Sequence, residues 1–331
     1  MIKIAFAGFR HAHILALYDA VKQSDLVCLQ GAFEENAETR LQMEKDKEIV
    51  FNYDTYEALL ADASVDAVAI GDYYSIRGSR VIEALKAGKH VIADKPLCTE
   101  ESEAKEIRRL CEEKNLAVYL MLDLRFDPSF FTAKKVIESG AVGEIKQIAF
   151  QGQHPLLYNE RARWYFEEGK HGGVINDIAI HGMDIIRYMC GLSPAKVLAA
   201  KEWNAYAKEA PHFLDSGVFM CEMEGGSVLT ADVSYASPDG MRYSMPTYWE
   251  FRIWGTEGML TFGRNLPELT LYKKDSDRPE TIHPSSAPKT MLEDFLDCIA
   301  RKDGTILTAK DTLDATDITL KIREEAHKCK Q

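Results

Sequence analysis

At 331 residues the chain is longer than one hydrophobic core usually supports, so two domains are predicted. A hydrophobic share of 46% and a charged share of 28% are typical of globular proteins and exclude a disordered chain. The formal net charge of -12 argues against a nucleic-acid-binding surface, and no apolar run approaches the roughly 20 residues of a membrane helix.

The first third of the chain alternates short apolar runs with amphipathic stretches. The opening run IKIAFAG follows no basic leader, so we predict a strand of a cytoplasmic protein and not a signal peptide. Further apolar runs, DLVCLQGAF, VDAVAIGD, HVIADKPL and AVYLMLD, are separated by helix-like stretches. Strands without polar alternation between helices predict a parallel sheet covered on both faces, which is the doubly wound, Rossmann-like α/β pattern.

After about residue 123 the pattern changes. PSFFTAKKVIESG and GVINDIAIHGMDIIRYMCG are predicted helices, and six partly alternating runs from EIKQIAFQGQ to MLTFG are predicted strands. They indicate an α+β domain with a largely antiparallel open sheet that has one wetter face. We therefore predict a dinucleotide-binding domain over residues 1–123 and a second domain over 124–331, which ends in two helices.

The stretch AGFRHAHI lies between the first predicted strand and helix, where a dinucleotide pyrophosphate docks in this architecture. Gly8 matches the first fingerprint glycine, and Arg10 and Ala12 are assigned to the second and third positions. Arg10 or His11 can place a donor near phosphate. The alternative is a strand end followed by a solvated arginine and histidine. The candidate cofactor residues here are Gly8, Phe9, Arg10, His11 and Ala12.

Glu34 ends the second predicted strand at about the spacing of the acid that binds the ribose hydroxyls. Glu35 is a close competitor for that position. A carboxylate there favours NAD over NADP, because it repels the additional phosphate. The alternative is a solvent-facing helix start, EENAETR, whose acids suit the helix dipole.

A lysine turn follows the strand HVIADKPL, where Asp94, Lys95 and Pro96 come at the carboxyl end of a predicted parallel strand. Ligands bind at those ends. Lys95 in this position can polarise a substrate oxygen or bond the nicotinamide ribose. The alternative is a surface lysine paired with Asp94.

The segment HGGVINDIAIHGMD contains Asp177, His181 and Asp184, which share one face of a predicted helix. One interpretation is an imidazole oriented by a carboxylate, which makes a general base near neutral pH. The spacing also suits metal ligation. A third interpretation is a buried polar helix face that satisfies its own hydrogen bonds.

The cysteines are scattered without CxxC pairs, and several lie in apolar runs. This pattern predicts reduced, mostly structural thiols and neither a zinc knuckle nor a disulfide framework. The seven residues are Cys28, Cys98, Cys111, Cys190, Cys221, Cys298 and Cys329.

Taken in this order, these stretches resemble the Gfo/Idh/MocA family of NAD(P)-dependent oxidoreductases. ALKAGKHVIADKPL is similar to the family's AGKHVxxEKP segment, LRFDPSFFTAKKVIESGAVGEI to its domain-entry helix, and GGVINDIAIHGMDIIRYMCG to its GGGxxxDxGxHxxD segment. The resemblance covers essentially the whole chain. It implies a Rossmann domain followed by a domain for substrate binding and oligomerisation.

The resemblance implies that Lys95, Asp177 and His181 face the nicotinamide of bound NAD or NADP. On that basis His181 takes the proton of a substrate hydroxyl, Asp177 orients and balances it, and Lys95 stabilises the developing oxyanion. Asp94 and Lys95 join the cofactor residues. No metal ion is required.

This sequence departs from the family pattern at three further positions. Asp94 stands where the family has glutamate, Arg77 where many members have a histidine beside the cofactor, and Ala179 where the family has glycine. Each departure concerns cofactor binding more than the acid and base pair.

Members of the family act on sugars, polyols, inositols and related compounds, so the resemblance implies a small-molecule substrate of that kind. The segment RARWYFEEGKHGG offers an aromatic face and cations that suit a sugar or sugar acid, and that suit an oligomer contact equally. A homo-dimer or homo-tetramer is implied by the resemblance. The candidate substrate-binding residues are Arg125, Arg163, Trp164, Lys170 and His181.

Two other functions stay open on the sequence. One is a non-catalytic cofactor- or sugar-sensing protein on the same fold. The other is a metal-dependent hydrolase or isomerase that uses Asp177, His181 and Asp184.

Overall fold

The computed structural model describes residues 1–328, so the predicted structural thiol Cys329 lies outside the described residues. The chain divides into two compact units. Unit 1 takes Met1–Met121, Ala162–Gly172 and Thr290–Asp317, and unit 2 takes Leu122–Arg161, Gly173–Lys289 and the chain from Ile318. The domain limits 1–123 and 124–331 stay a prediction.

The regular elements are numbered in chain order. The strands are β1 (Ile2–Ala7), β2 (Val27–Phe33), β3 (Ala67–Ile70), β4 (His90–Ala93), β5 (Val118–Leu120), β6 (Ile145–Pro155), β7 (Pro194–Trp203), β8 (Ser216–Met223), β9 (Val228–Ser237), β10 (Glu250–Gly255), β11 (Gly258–Gly263), β12 (Leu269–Lys273) and β13 (Glu280–Ile282). The helices are α1 (Ile14–Gln23), α2 (Ala37–Lys47), α3 (Tyr56–Ala61), α4 (Tyr74–Lys86), α5 (Glu101–Lys114), α6 (Pro128–Glu138), α7 (Ile180–Cys190), α8 (Met291–Ala300) and α9 (Ala309–Lys328).

Unit 1 contains a parallel sheet in the order β2-β1-β3-β4-β5, five strands within the described residues. The strands are buried because helices cover the sheet, and every residue of β3 is fully buried. Strands β1 and β4 both pair with β3, so their carboxyl ends meet at one edge of the sheet. That edge positions the residues predicted to bind cofactor.

Helix α1 shows why the sequence folds this way locally. Its buried residues are Ile14, Leu17, Tyr18 and Val21, the spacing that places four side chains on one helical face. Tyr18 packs edge-on against Phe6 of β1. The helix therefore starts directly after the turn that follows β1, with its amino end at the same sheet edge.

Unit 2 contains a second sheet in the order β13-β12-β11-β10-β6-β9-β8-β7, eight strands within residues 1–328. All neighbours are antiparallel except β6 and β9, which run parallel. Helices α6 and α7 pack on one face, where Phe130 meets Phe251 and Gly182 meets Phe150. The other face carries exposed Val218 and Met220 among polar side chains.

The observed architecture confirms the predicted fold class: a Rossmann-like parallel sheet followed by a mostly antiparallel sheet with helices. The sequence reading missed the short helix α3 and the outer strands β12 and β13. None of the helices described has the length and apolarity that crossing a membrane demands.

Candidate active site

The turn after β1 depends on a glycine at position 8. Gly8 has a φ of 81°, and a Cβ there would lie 2.9 Å from both the Cβ and the backbone nitrogen of Asp72. Both the left-handed conformation and this close approach exclude other residue types. The first glycine of the predicted fingerprint is thus structurally required.

The backbone amides of this turn are partly committed. Phe9 N donates to Glu34 Oε2 at 2.7 Å, and His11 N donates to the carbonyl of Gly71 at 2.9 Å. Across the described residues, the amides of Arg10, Ala12 and His13 donate to no acceptor. Three open amides just before α1 form an anion-binding arrangement, because a helix amino end favours negative charge.

The spacing of the fingerprint corrects one assignment. Counted from Gly8, the GxGxxG pattern puts its third glycine at residue 13, so assigning that position to Ala12 is wrong by one residue. His13 occupies it, and 60% of its side chain is exposed.

Glu34, the predicted ribose partner, lies beneath the turn with its side chain fully buried. Its carboxylate accepts hydrogen bonds from the amides of Phe9 and Asn36, and Arg10 Nε lies 3.5 Å from Oε1. Burial raises the pKa of Glu34 despite these hydrogen bonds. The competitor Glu35 instead pairs with Arg80 at 2.7 Å.

A buried hydrogen-bonded chain runs through His11. Its Nδ1 contacts Asp94 Oδ2, its Nε2 lies 3.2 Å from Tyr74 Oη, and Tyr74 Oη lies 3.1 Å from Tyr165 Oη. Burial lowers the pKa of the His11 imidazole well below its ordinary value, although the neighbouring Asp94 carboxylate opposes this shift. Burial opposes the charge on Asp94, but His11 and His13 hold the pKa of Asp94 well below its usual range.

Lys95 follows β4 in a turn fixed by a buried arginine. Arg77 donates to the carbonyls of Asp94 and Pro96 at 3.0 and 2.8 Å, and to that of Asp72 at 2.6 Å. The backbone nitrogen of Lys95 donates to Asp94 Oδ1 at 2.8 Å, and its ammonium lies 5.8 Å from the ring centroid of Tyr74. Lys95 is therefore a buried group of this edge and not a solvated surface lysine.

Most of the segment RARWYFEEGKHGG, predicted to line the substrate site, belongs to unit 1 as Ala162–Gly172 and packs on the turn there. Trp164 Nε1 donates to the carbonyl of Arg10 at 2.9 Å, which fixes the turn from outside. Lys170 Nζ lies 5.0 Å from the Tyr73 ring, and Arg163 is exposed.

In unit 2 a π-helical turn, Ile175–Ala179, leads into α7. It starts after Gly173, where a Cβ would lie 2.5 Å from Glu202 Oε1, and that same oxygen accepts a hydrogen bond from Ile175 N at 2.8 Å. Wider turns of this kind are frequent at functional sites. This one carries Asp177 and precedes His181.

Asp177 and His181 each have a partner that the sequence reading did not single out. Tyr235 on β9 donates a hydrogen bond to Asp177 Oδ2. His181 Nδ1 lies 3.6 Å from Asp123 Oδ1, and its ring meets Trp249 with centroids 5.5 Å apart. Asp177 and His181 are thus buried, and both are held by contacts within unit 2.

Asp184, the third residue of the predicted trio, has a separate role. Arg125 Nε and Nη2 donate to its two carboxylate oxygens at 2.8 and 2.6 Å, and both side chains are buried. Arg125 thereby ties the segment before α6 to α7. Because this bidentate pair occupies the carboxylate, Asp184 is a poor metal ligand beside His181.

A cleft of about 430 Å³ opens in unit 2 between β6 and the loop after β9. Its polar lining includes Gln153, Glu160 and Asn265, and its aromatic lining includes Tyr243 and Tyr248. The Tyr248 ring lies 4.6 Å from that of His154, centroid to centroid. Tyrosine faces with amide groups suit the alternating apolar and hydroxyl surfaces of a sugar or polyol.

Sequence reasoning missed four polar residues of these sites. Tyr235 lies on an inward-facing position of β9 that follows apolar Leu229, Ala231 and Val233, which is a usable signal. Asp123 carries no local signal, since its partner is distant in sequence. The four residues are His13, Tyr74, Asp123 and Tyr235.

Two family models match the chain. Residues 2–121 match the model described as the oxidoreductase family, NAD-binding Rossmann fold. Residues 130–261 match the GFO/IDH/MocA C-terminal domain. The matches lie on the two sheets in the order that the motifs predicted.

Known relatives are similar at modest identity. The scyllo-inositol 2-dehydrogenase (NADP(+)) of Bacillus subtilis is 27% identical over 68% of this chain and 66% of its own length. The scyllo-inositol 2-dehydrogenase (NAD(+)) of the same organism is 29% identical over 77% of this chain and 70% of its own length. This chain thus spans about two thirds of each of these two relatives.

A crystal structure of an NAD-binding oxidoreductase from Klebsiella pneumoniae matches the fold with a TM-score of 0.81, at 16% identity over 100% of this chain and 97% of that one.

Proposed function

The chain belongs to the GFO/IDH/MocA family of oxidoreductases, and from that premise we propose that it is an NAD(P)-dependent dehydrogenase. Its substrate class is a sugar, polyol, inositol or related compound that carries the reacting hydroxyl. The observation that carries the proposal is the turn after β1, where Gly8 and three open amides precede α1.

The turn fits a dinucleotide pyrophosphate. The amides of Arg10, Ala12 and His13 supply donors, and the Arg10 guanidinium adds a positive charge beside them. When bound, the nicotinamide supplies the hydride acceptor or donor. We assign the adjoining cofactor contacts to Phe9, His11, Glu34, Asp94 and Lys95.

The cofactor preference is the finer part of this proposal. Glu34 supports NAD by charge, but its carboxylate already accepts two amides and is covered by Arg10. Arg10 supports NADP, because a guanidinium stabilises an additional phosphate. Relatives of both cofactor types are known, as the two inositol dehydrogenases show for themselves.

We assign general base chemistry to His181. Its imidazole accepts the proton of the substrate hydroxyl, and Asp123 beside Nδ1 stabilises the imidazolium that results. Asp177, held by the Tyr235 hydroxyl, orients and balances this histidine from the same helical segment. Lys95 supplies the ammonium that stabilises negative charge on the reacting oxygen.

The contacts of the proposed substrate-binding residues differ. Arg125 is bound to Asp184, so we propose that it positions α7, and Trp164 is bound to the turn carbonyl of Arg10. Arg163 keeps an exposed cationic group, whereas the Lys170 ammonium pairs with Glu167 at 2.5 Å. The unit 2 cleft beside Tyr248 adds a surface suited to a polyhydroxy compound.

The proposal is tested by titrating NADH and NADPH into the purified protein, followed by turnover with a panel of inositols, polyols and sugars. We expect binding of at least one cofactor and turnover of at least one compound. His181→Gln is expected to lower kcat roughly 100-fold or more while the cofactor Kd stays unchanged. The exposed histidine variant His283→Gln serves as the matched control, with wild-type turnover expected.

The outcomes separate the alternatives. Cofactor binding without turnover on any compound favours a sensing protein, and no binding at millimolar cofactor contradicts the proposal. A stoichiometric metal ion that is lost in Asp177→Asn favours the metal-dependent hydrolase or isomerase.

We also infer a homo-dimer or homo-tetramer. Val218 and Met220 on the uncovered face of the unit 2 sheet expose apolar surface that a second copy can bury. Light scattering after size exclusion measures the mass, and Met220→Arg is expected to reduce it. A wild-type monomer contradicts this inference.

A further inference from the structure

The turn after β1 and the end of β4 bring three metal-ligating side chains into one cluster. One ligand atom each of His11, His13 and Asp94 lies within 4.8 Å of the others. Among residues 1–328, this is the one place where three or more His, Cys, Asp or Glu side chains lie close enough together to hold a metal ion. The sheet order explains it, since β1 and β4 flank β3 and end at the same edge.

We propose that His11, His13 and Asp94 bind one divalent transition-metal ion such as Zn²⁺ through two imidazole nitrogens and one carboxylate oxygen. This site is separate from the metal alternative on α7, and it shares His11, His13 and Asp94 with the turn proposed to bind the cofactor.

Each of the two imidazole nitrogens lies beside one carboxylate oxygen of Asp94. Asp94 directs Oδ2 toward His11 Nδ1 and Oδ1 toward His13 Nδ1, which lies 3.6 Å away. The two imidazole rings lie side by side with centroids 4.4 Å apart. A single hydrogen-bonded histidine and aspartate need only one of these rings, whereas a cation draws both nitrogens and the carboxylate together.

The surroundings supply the outer hydrogen bonds that hold metal ligands in place. In the proposed metal-bound state His11 Nδ1 exchanges its hydrogen bond with Asp94 for the ion, and Nε2–H then donates to Tyr74 Oη, which bonds Tyr165 Oη in turn. Asp94 Oδ1 accepts the backbone N–H of Lys95. Metal-ligating histidines and carboxylates are regularly oriented in this way.

Access and coordination number fit the same assignment. His13 is largely exposed, so an ion can enter from solvent, whereas His11 and Asp94 are buried. Three protein ligands leave further positions for water or an anion, as in metal sites with an open position. Two nitrogen donors select Zn²⁺ or Co²⁺ over Mg²⁺, which prefers oxygen ligands.

The test uses the full-length protein, stripped with a chelator and titrated with ZnCl2 or CoCl2 in the absence of cofactor. Calorimetry gives the stoichiometry and Kd, and the visible spectrum of bound Co²⁺ reports its coordination. We expect one ion per chain, with MgCl2 giving no comparable binding. His13→Gln is expected to weaken binding about tenfold or more, because it removes one of three ligands.

His283→Gln is the matched control, since it removes an exposed histidine of unit 2 that pairs with Glu268. It should bind the ion as the wild type does. Asp94→Asn provides a second variant, and circular dichroism confirms that each variant folds. No stoichiometric binding by the wild type, or equal binding by His13→Gln, overturns the proposal. The readout contains no cofactor or substrate, so it succeeds or fails independently of the dehydrogenase function.

Discussion

Arg125 donates two hydrogen bonds to the carboxylate of Asp184, from Nε to Oδ2 at 2.8 Å and from Nη2 to Oδ1 at 2.6 Å. Both side chains are buried, and the guanidinium also lies 4.8 Å from the ring centroid of Tyr188. The pair joins residues 59 apart in sequence and holds α7 against the segment before α6. The helix that carries His181 is therefore fixed from its buried side.

Arg125→Met is expected to destabilise the protein by about 3–5 kcal/mol, because it leaves the buried Asp184 carboxylate without its partner. Urea unfolding followed by circular dichroism measures the change. Arg252→Met is the control on the exposed face of the same unit, where the pair with Glu250 is half exposed. Its loss is expected to cost less than about 1 kcal/mol.

The opposite result would restore the role predicted from sequence. If Arg125→Met keeps the wild-type free energy of unfolding and instead raises KM for the substrate, Arg125 binds substrate and does not position α7.

Tyr235→Phe tests the hydrogen bond that holds Asp177. The variant removes a hydroxyl donor to a buried carboxylate, a bond of the charged class worth about 1.5–3 kcal/mol. We expect a fall in kcat of roughly tenfold with little change in cofactor Kd, since Tyr235 acts through Asp177. Stopped-flow turnover and cofactor titration separate the two quantities.

Tyr272→Phe gives the matched control, because this tyrosine is exposed on β12. Equal turnover in both variants would mean that the Tyr235 hydroxyl contributes packing alone.

The sequence predicted the elements that depend on local spacing. The apolar spacing of Ile14, Leu17 and Val21 predicted α1, and the uninterrupted run AVAI predicted a doubly covered strand. Strands β12 and β13 were not predicted, because they are short and lie among polar turn residues. Their alternation of apolar and polar side chains covers too few residues to indicate a strand.

The candidate site was predictable only in part. The motifs picked out Lys95 and His181, but Asp94 and His13 meet through the order of three strands, which no local pattern encodes. The pair between Arg125 and Asp184 likewise has no local signal, because its two residues are 59 apart in sequence. From sequence alone, a cationic side chain that binds substrate cannot be distinguished from one that forms a structural ion pair with a residue distant in sequence.

Arg10→Ala is expected to shift cofactor preference toward NADH. The substitution removes the positive charge that we propose stabilises an additional phosphate, and it uncovers the Glu34 carboxylate, the proposed partner of the ribose hydroxyls. We expect the ratio of the NADPH Kd to the NADH Kd to rise about tenfold. Fluorescence titration with both cofactors measures it.

Arg163→Ala is the control for this change, since Arg163 is exposed in unit 1 and belongs to no described pair with Glu34. An unchanged ratio in Arg10→Ala would show that the guanidinium faces neither cofactor.

Three buried thiols are expected to resist alkylation in the native protein. Burial raises the pKa of Cys111 and Cys221 to about 12 and that of Cys298 to about 11. The thiolate is the reactive form, and a raised pKa leaves little of it near pH 8, so labelling by iodoacetamide should be slow and should accelerate as pH rises. Cys28 is only half buried and serves as the internal reference that labels first.

Mass spectrometry of digests at pH 7, 8 and 9 measures each site, with urea-unfolded protein as the full-labelling control. Rapid modification of Cys221 at pH 7 in folded protein would contradict its assignment as a structural thiol, because β8 places it on the buried face of the sheet.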